Sequence, residues 1–253
     1  MFTKVKTEQE IDAIRESGRM LATVLAHLER SVVAGMSTAD IDHSARTELQ
    51  KLGGTPAFLG YQGFPSSICT SVNNEVVHGI PSETRIIAGG DIVSMDFGVK
   101  YLGMITDSAL TMPIGGVSEK ARRLITATKQ SLQAGIDVIE DGVFTGTIGA
   151  AIQSVLENAR LGIVRDLVGH GVGHNVHEDP NIPNYGTIDS GVALEAGMTI
   201  AIEPMATLGT DRVGILSDGW TVVTADDSLS AHFEHTVLIT ADGYEILTDR
   251  DQV

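Results

Sequence analysis

The sequence predicts an α+β fold of two similar halves, in which each half supplies a pair of helices and then antiparallel strands to one curved sheet backed by the helices. Three observations predict it. Apolar residues recur at helical spacing in two stretches before residue 53, and two more helical stretches lie between 118 and 160. Apolar, strand-like runs follow each helix pair. No Pro/Ser-rich linker divides the chain, so residues 1–253 read as a single domain.

The elements follow in order. Residues 8–30 place Ile11, Ile14, Leu21, Val24, Leu25 and Leu28 at three- and four-residue steps, the stripe of an amphipathic helix. Ser37 with Asp40 three residues on reads as a capping box, and Ile41, Ala45 and Leu49 continue one face until Gly53-Gly54 ends it. Residues 56–81 break the pattern and read as an irregular loop whose Phe58, Tyr61, Phe64 and Cys69 line something. Strands are expected over 91–100 and 103–112. The cycle repeats with helices over 118–141 and 145–160, started by Ser118 and Thr145 and closed by glycines. Further strands are expected at about 164–170, 198–204, 220–224 and 233–240.

Bulk properties exclude several classes of function. Seventeen basic against thirty-three acidic residues give a formal charge of −16, which repels phosphate backbones and argues against nucleic acid as a ligand. Such a field attracts cations and amine-bearing substrates. The one cysteine, Cys69, permits neither an intrachain disulfide nor a thiolate metal cluster and fits a reducing compartment. The first ten residues lack the apolar core of a signal peptide, and no apolar run approaches the ~20 residues needed to span a bilayer. Cytoplasm is the expected location.

Five residues stand in or at the edge of apolar stretches where a charge is costly: Asp96, Asp107, His170, Glu203 and Glu234. Any one of them alone could be a strand-end group facing water. Together they make an oxygen-rich ligand set. If Tyr101-Leu102 is a two-residue hairpin loop, Asp96 lies directly opposite Asp107, and the two like charges destabilise the pair unless a cation sits between them. Four carboxylates and one imidazole carry more negative charge than one divalent ion needs, whereas two roughly balance it. Oxygen-dominated ligation disfavours structural zinc and suits Mn, Fe or Co, and two ions a few Å apart suit hydrolysis.

His170 and His174 have the spacing of a helical zinc pair, but Gly169, Gly171 and Gly173 argue against a helix. The stretch reads as extended backbone whose glycines make room for a substrate, with His170 and His174 on one face and His177 on the other unless the chain bends.

With these residues assembled, the chain closely resembles the type I methionine aminopeptidases, cytosolic enzymes of the pita-bread fold. The resemblance rests on the opening Ile11-x-x-Ile14-Arg15-Glu16-x-Gly18-Arg19 and on Asn73-Asn74-Glu75-Val76-Val77-His78-Gly79-Ile80-Pro81. It continues through Asp96 with Asp107 eleven residues on, Gly169-His170-Gly171-Val172-Gly173 leading to His177-Glu178-Asp179-Pro180, Ile202-Glu203-Pro204 and Asp218-Gly219-Trp220-Thr221. It implies that Asp96, Asp107, His170, Glu203 and Glu234 hold two divalent ions drawn from Co, Mn, Fe and Zn. It also implies that His78 and His177 contact the substrate and stabilise the tetrahedral intermediate. Tyr61, Phe64, Cys69 and Trp220 would form the methionine side-chain pocket, where sulfur-aromatic contacts are favourable. A bridging hydroxide would attack a carbonyl polarised by a metal and His177, with Glu203 relaying the proton. The expected substrates are amino termini of nascent polypeptides with a small second residue, met by a monomer near the ribosome.

The chain departs from the family pattern at three positions. Phe58 stands where bacterial members often have a small residue or cysteine, which narrows the pocket mouth; Val176 replaces a frequent phenylalanine; and His174 is unusual between Gly173 and Asn175. Only 25 residues separate His177 from Glu203, too few for the extra subdomain of type II enzymes, and no amino-terminal zinc-binding extension is expected ahead of the first helix. A proline-directed aminopeptidase of the same fold, a pita-bread binding protein without activity and a structural cation-binding domain are the alternatives. The first usually carries a separate amino-terminal domain, the second typically loses ligands, and the third has no need of the aromatic loop.

Overall fold

The computed structural model describes residues 3–253. The first half begins with α1 (Glu8–Ser31), opened by a reciprocal capping box between Thr7 and Glu10, and α2 (Thr38–Leu52), opened by the expected box between Ser37 and Asp40. Gly53, left-handed at φ 85°, ends α2 as read from the sequence. Strands β1 (Thr55–Pro56), β2 (Ile68–Val72), β3 (Glu75–Val77), β4 (Ile92–Tyr101) and β5 (Met104–Pro113) follow. The second half opens with α3 (Glu119–Ile136) and α4 (Thr145–Asn158) and continues with β6 (Gly162–Ile163), β7 (Gly169–Gly171), β8 (Glu178–Ile182), β9 (Thr199–Ile202) and β10 (Met205–Thr207). It ends with β11 (Val213–Ile215), β12 (Val222–Thr224), β13 (Ser230–His232), β14 (His235–Thr240) and β15 (Gly243–Ile246).

Each half builds one large antiparallel sheet. Strands β1, β4 and β2 with β5 on β4 form the first, and β15-β14-β9-β7-β8 forms the second; β13-β10-β6 and β11-β12-β3 complete the set. Helix α1 packs on β4 and β5, and α3 on β10 and β13, so the main apolar core lies between helices and sheets in both halves.

The two large sheets join along β5 and β14. Glu234 N–H donates to the Ala109 carbonyl at 2.9 Å, but the neighbouring links run through hydroxyls. Thr236 Oγ1 accepts from Asp107 N–H at 2.9 Å and donates to the Asp107 carbonyl at 2.7 Å. Ser108 Oγ donates to the Glu234 carbonyl at 2.7 Å, and Thr111 Oγ1 bonds both backbone groups of His232. The pairs 107/236, 109/234 and 111/232 have a constant sum, so the strands are aligned antiparallel while side-chain hydroxyls replace part of the ladder. This seam gives the shared curved sheet expected from the sequence.

Several local expectations need correction. Residues 56–81 are not wholly irregular: Ile68 to Val72 are all buried and pair with β4, a continuous apolar strand with no alternation to reveal it. Helix α3 stops at Ile136, and α4 is preceded by Phe144 as a cap without a side-chain bond, because the Thr145 hydroxyl instead accepts from Val192 N–H at 3.2 Å. Neither helix is closed by a glycine; Asp137 and Ala159 stand at their ends. The strand expected from 220 starts at Val222, since the Asp218 carboxylate draws the Trp220 and Thr221 N–H groups into a turn.

The hairpin register also differs. Leu102 and Gly103, at φ 46° and 87°, form the turn, which is the doubly left-handed geometry that matches strand twist. Asp96 therefore faces Ala109 and Asp107 faces Gly98. A shift of two keeps both carboxylates on one face, as diagonal rather than direct neighbours.

Thr236 holds the backbone of Asp107 from the opposite half. Thr236→Val, which keeps shape but strands both backbone groups of Asp107, is expected to lower stability by about 2–4 kcal/mol in urea unfolding.

Candidate metal centre and substrate pocket

The seam delivers the five costly side chains to one place. Asp96 comes from β4, Asp107 from β5 and His170 from β7; Glu203 lies between β9 and Pro204, and Glu234 between β13 and β14. Ligand atoms of Asp107, His170 and Glu234 all lie within 4.8 Å of one another, and all three residues are buried. Glu203 Oε1 is 3.6 Å from His170 Nε2, and the Asp96 and Asp107 carboxyls lie close enough to perturb one another. The His170 ring is held by Nδ1 against the Gly171 carbonyl at 3.0 Å; with the proton there, the Nε2 lone pair faces the carboxylates.

The electrostatics follow from burial. Desolvation, reinforced by the charges of Asp107 and Glu203, pushes the Asp96 carboxyl well above the usual carboxylate range. Glu203 moves the same way through burial and Asp107, and Glu234 through burial and the other three carboxylates. Asp107 is pushed up to about 7, chiefly by burial. Burial and the neighbouring His177 lower His170 to about 3, so its imidazole is neutral. Asp96 Oδ1, Asp107 Oδ1 and Glu234 Oε1 have no hydrogen-bond partner among the described residues. Carboxylates that burial and one another's charge drive toward holding protons, three of them with an orphaned oxygen, beside an inward lone pair suit hard divalent cations. The residues fit the metal group that the resemblance implies.

Above this floor is a cavity of about 200 Å³. Every candidate site residue lines it: His78, His177, Tyr61, Phe64, Cys69 and Trp220 as well as the five acidic and imidazole groups. Phe64 meets Trp220 edge-on with ring centroids 5.1 Å apart, and His78 meets the same indole at 6.2 Å. His78 is left-handed at φ 60°, a conformation rare outside glycine, and it turns the chain after β3 at the pocket wall. Burial and then the nearby His177 lower it to about 4. The His177 residue reaches solvent, yet burial of its ring lowers it too. Tyr61 Oη is 2.9 Å from His177 Nδ1. Burial, then the charges of Asp96, Asp107 and Glu234, push the Cys69 thiol well up, which excludes a thiolate nucleophile.

The histidine-rich turn is the main departure from the expected geometry. His170 and His177, assigned to opposite faces, are brought together with ring centroids 4.3 Å apart, whereas His174 points away and meets Glu10 Oε1 at 2.7 Å. The chain bends at Gly173, φ 144°, and Glu178 Oε1 accepts from His174 and Asn175 N–H, both at 2.9 Å. The glycines make room for the protein's own chain rather than for a substrate. A Cβ on Gly171 would come 2.6 Å from Thr3 Cβ, and one on Gly173 2.5 Å from Lys6 Cε. Of the departing residues, Phe58 does line the pocket, and Val176 sits in the apolar cluster with Phe58, Phe64 and Cys69.

Sequence reasoning missed His232. It is 1% exposed, its Nε2 lies 3.5 Å from Glu203 Oε2, and neither ring nitrogen has a hydrogen-bond partner among the described residues. Its position two residues before Glu234, at strand spacing, was the available signal. Met205, Leu167 and Val168, also unforeseen, complete the apolar wall.

The carboxyl shifts carry a sign. Without a cation the folded protein keeps protons that the unfolded chain gives up, so these groups subtract stability as pH rises from the ordinary carboxylate range through about 7. The neutral His170 and His232 subtract stability in the other direction, as pH falls below 6.5. A divalent cation displaces the carboxyl protons. Calorimetric titration with Mn is expected to show proton release near pH 7 and weaker uptake below it, and Asp107→Asn is expected to cut metal content as measured by elemental analysis.

Comparison with known proteins agrees with this geometry. Residues 12–241 match the model of metallopeptidase family M24. Methionine aminopeptidase 1 of Bacillus subtilis is 45% identical over 243 residues, covering 96% of this chain and 98% of its own. The crystal structure of methionine aminopeptidase from Thermotoga maritima superposes with a TM-score of 0.96 at 43% identity, covering 98% of this chain and 100% of that one. Prolidase from Pyrococcus furiosus shares the fold, with a TM-score of 0.78 at 22% identity over 97% of this chain and 65% of that one. The chain belongs to metallopeptidase family M24, in its methionine aminopeptidase branch.

Proposed function

We infer that this chain is a metal-dependent aminopeptidase that removes the amino-terminal methionine from polypeptides whose second residue is small. The observation that carries the reading is the buried Asp107, His170 and Glu234 group at the floor of an aromatic-lined cavity, in a chain 45% identical to a methionine aminopeptidase over nearly its full length.

Asp96, Asp107, His170, Glu203 and Glu234 would hold two divalent ions of the Mn, Fe, Co or Zn type. Bound there, the ions supply charge that polarises the scissile carbonyl and makes a water nucleophilic near neutral pH. The chain's own groups do the rest. Phe64, Cys69 and Trp220 surround the methionine thioether, and the protonated state of Cys69 keeps that wall uncharged. His78 and His177 are both neutral near pH 7, so each offers an N–H to a developing oxyanion without bringing a competing charge to the cation site. If the Tyr61 hydroxyl donates to His177 Nδ1, the proton of that ring sits on Nε2 and can be donated. Glu203, the carboxylate with the greatest solvent access at 14%, is placed to take the proton from the nucleophile and pass it to the leaving amine.

The acidic surface of a chain with net charge −16 favours an α-ammonium substrate over a nucleic acid. Amino termini of nascent chains near the ribosome, a monomeric working form and a cytoplasmic location complete the proposal. Among the described residues no helix is long and apolar enough to cross a membrane. The prolidase likeness shows the fold alone, and retention of all five candidate ligands disfavours a binding protein without activity.

Apo-protein given back Mn, Fe, Co or Zn is expected to release methionine from Met-Ala-Ser and to leave Xaa-Pro peptides intact; the opposite preference would overturn the reading. His177→Ala is expected to lower kcat by ~10²–10³-fold at unchanged metal content, the loss typical of a removed oxyanion donor.

A further inference from the structure

Residues 3–10 lie across the turn that carries His177, yet none of them lines the substrate cavity. Thr3 N–H donates to the Asp179 carbonyl, and Lys6 N–H donates to the Gly197 carbonyl at 2.8 Å. The Lys6 ammonium donates to Thr3 Oγ1 at 3.0 Å and to the Lys4 carbonyl at 2.9 Å, and it stands 3.6 Å from Glu178 Oε2. The two charged side chains are 0% and 1% exposed. The other oxygen of Glu178 accepts the His174 and Asn175 N–H bonds that close the turn. His174 then reaches back to Glu10, which also caps α1.

A fully buried ion pair is a poor way to gain stability, because desolvation offsets most of the attraction; a packed apolar pair would serve as well. What it does supply is a fixed position. Gly171 and Gly173 have no room for a side chain against Thr3 and Lys6, so the turn and the segment fit at one alignment. Three residues after His174, His177 projects into the pocket, where the hydrogen bond to Tyr61 and the packed His170 ring are its other restraints. We propose that the amino-terminal segment is a positioning strap: Lys6, acting through Glu178, fixes the turn 174–178 and so aims the His177 ring at the substrate carbonyl. The proposal rests on the role given to His177 above.

Lys6→Met keeps length and volume and removes the charge. With Mn-loaded protein and Met-Ala-Ser, the variant is expected to lose ~10- to 100-fold in kcat, the effect of misplacing a reacting group by about an ångström, with KM and metal content little changed. The ring ¹⁵N resonances of His177 are expected to move while those of the distant His43 stay, a change that uniform destabilisation does not produce. Should Glu178, left unpaired, prevent folding, Lys6→Met with Glu178→Gln restores neutrality and is held to the same readouts. A kcat within ~twofold of the parent with unmoved His177 signals overturns the proposal, as does a loss matched by loss of metal or by failure of both variants to fold. If the parent protein itself releases no methionine, the functional reading fails and the His177 resonances alone judge the strap.

Discussion

Mutual repulsion among carboxylates in a dry floor is the constraint on which the rest of the structure depends. Asp96, Asp107, Glu203 and Glu234 all sit where burial penalises the charged form, and the charge of Asp107 raises the cost of ionising the other three. Such a cluster persists only if the backbone beneath it cannot relax apart. The long β4–β5 hairpin, β9 and β14 are the elements that prevent relaxation, and their rigidity comes from cores on the far faces of both sheets.

The seam shows how that rigidity crosses between halves. A regular ladder along β5 and β14 would fix spacing with backbone bonds alone. Threonine and serine hydroxyls instead let the two sheets meet while both backbone groups of Asp107 stay satisfied. The five clustered groups are therefore divided: the first half brings two carboxylates, and the second brings two carboxylates and the imidazole.

Much of this was legible in the sequence, and the failures have physical causes. Amphipathic helices and capping boxes declare themselves locally, so α1 and α2 were readable nearly to the residue. The five charged positions were readable because each violates its apolar surroundings. Strand β2 was hidden because a strand buried on both faces has no period. The face shared by Asp96 and Asp107 was legible and their register was not, because the turn is set by left-handed Leu102 and Gly103 rather than by a strong dipeptide signal. His174 was misplaced because the bend that expels it is made by Glu178 and by a segment more than 160 residues earlier in the chain. Local patterns carry no trace of that contact. His232 was overlooked for the opposite reason: beside the stronger signal of Glu234 it passed as an ordinary strand residue.

The division of these five groups between the halves also bears on synthesis. Asp96 and Asp107 emerge from the ribosome well before Glu234 and the Thr236 hydroxyl that secures the Asp107 backbone. Until Glu234 and Thr236 have emerged, the early carboxylates have neither their partners nor a fixed spacing. A polypeptide not yet extended past Thr236 consequently holds no assembled centre. Its chemistry is timed by the topology of its own sheet.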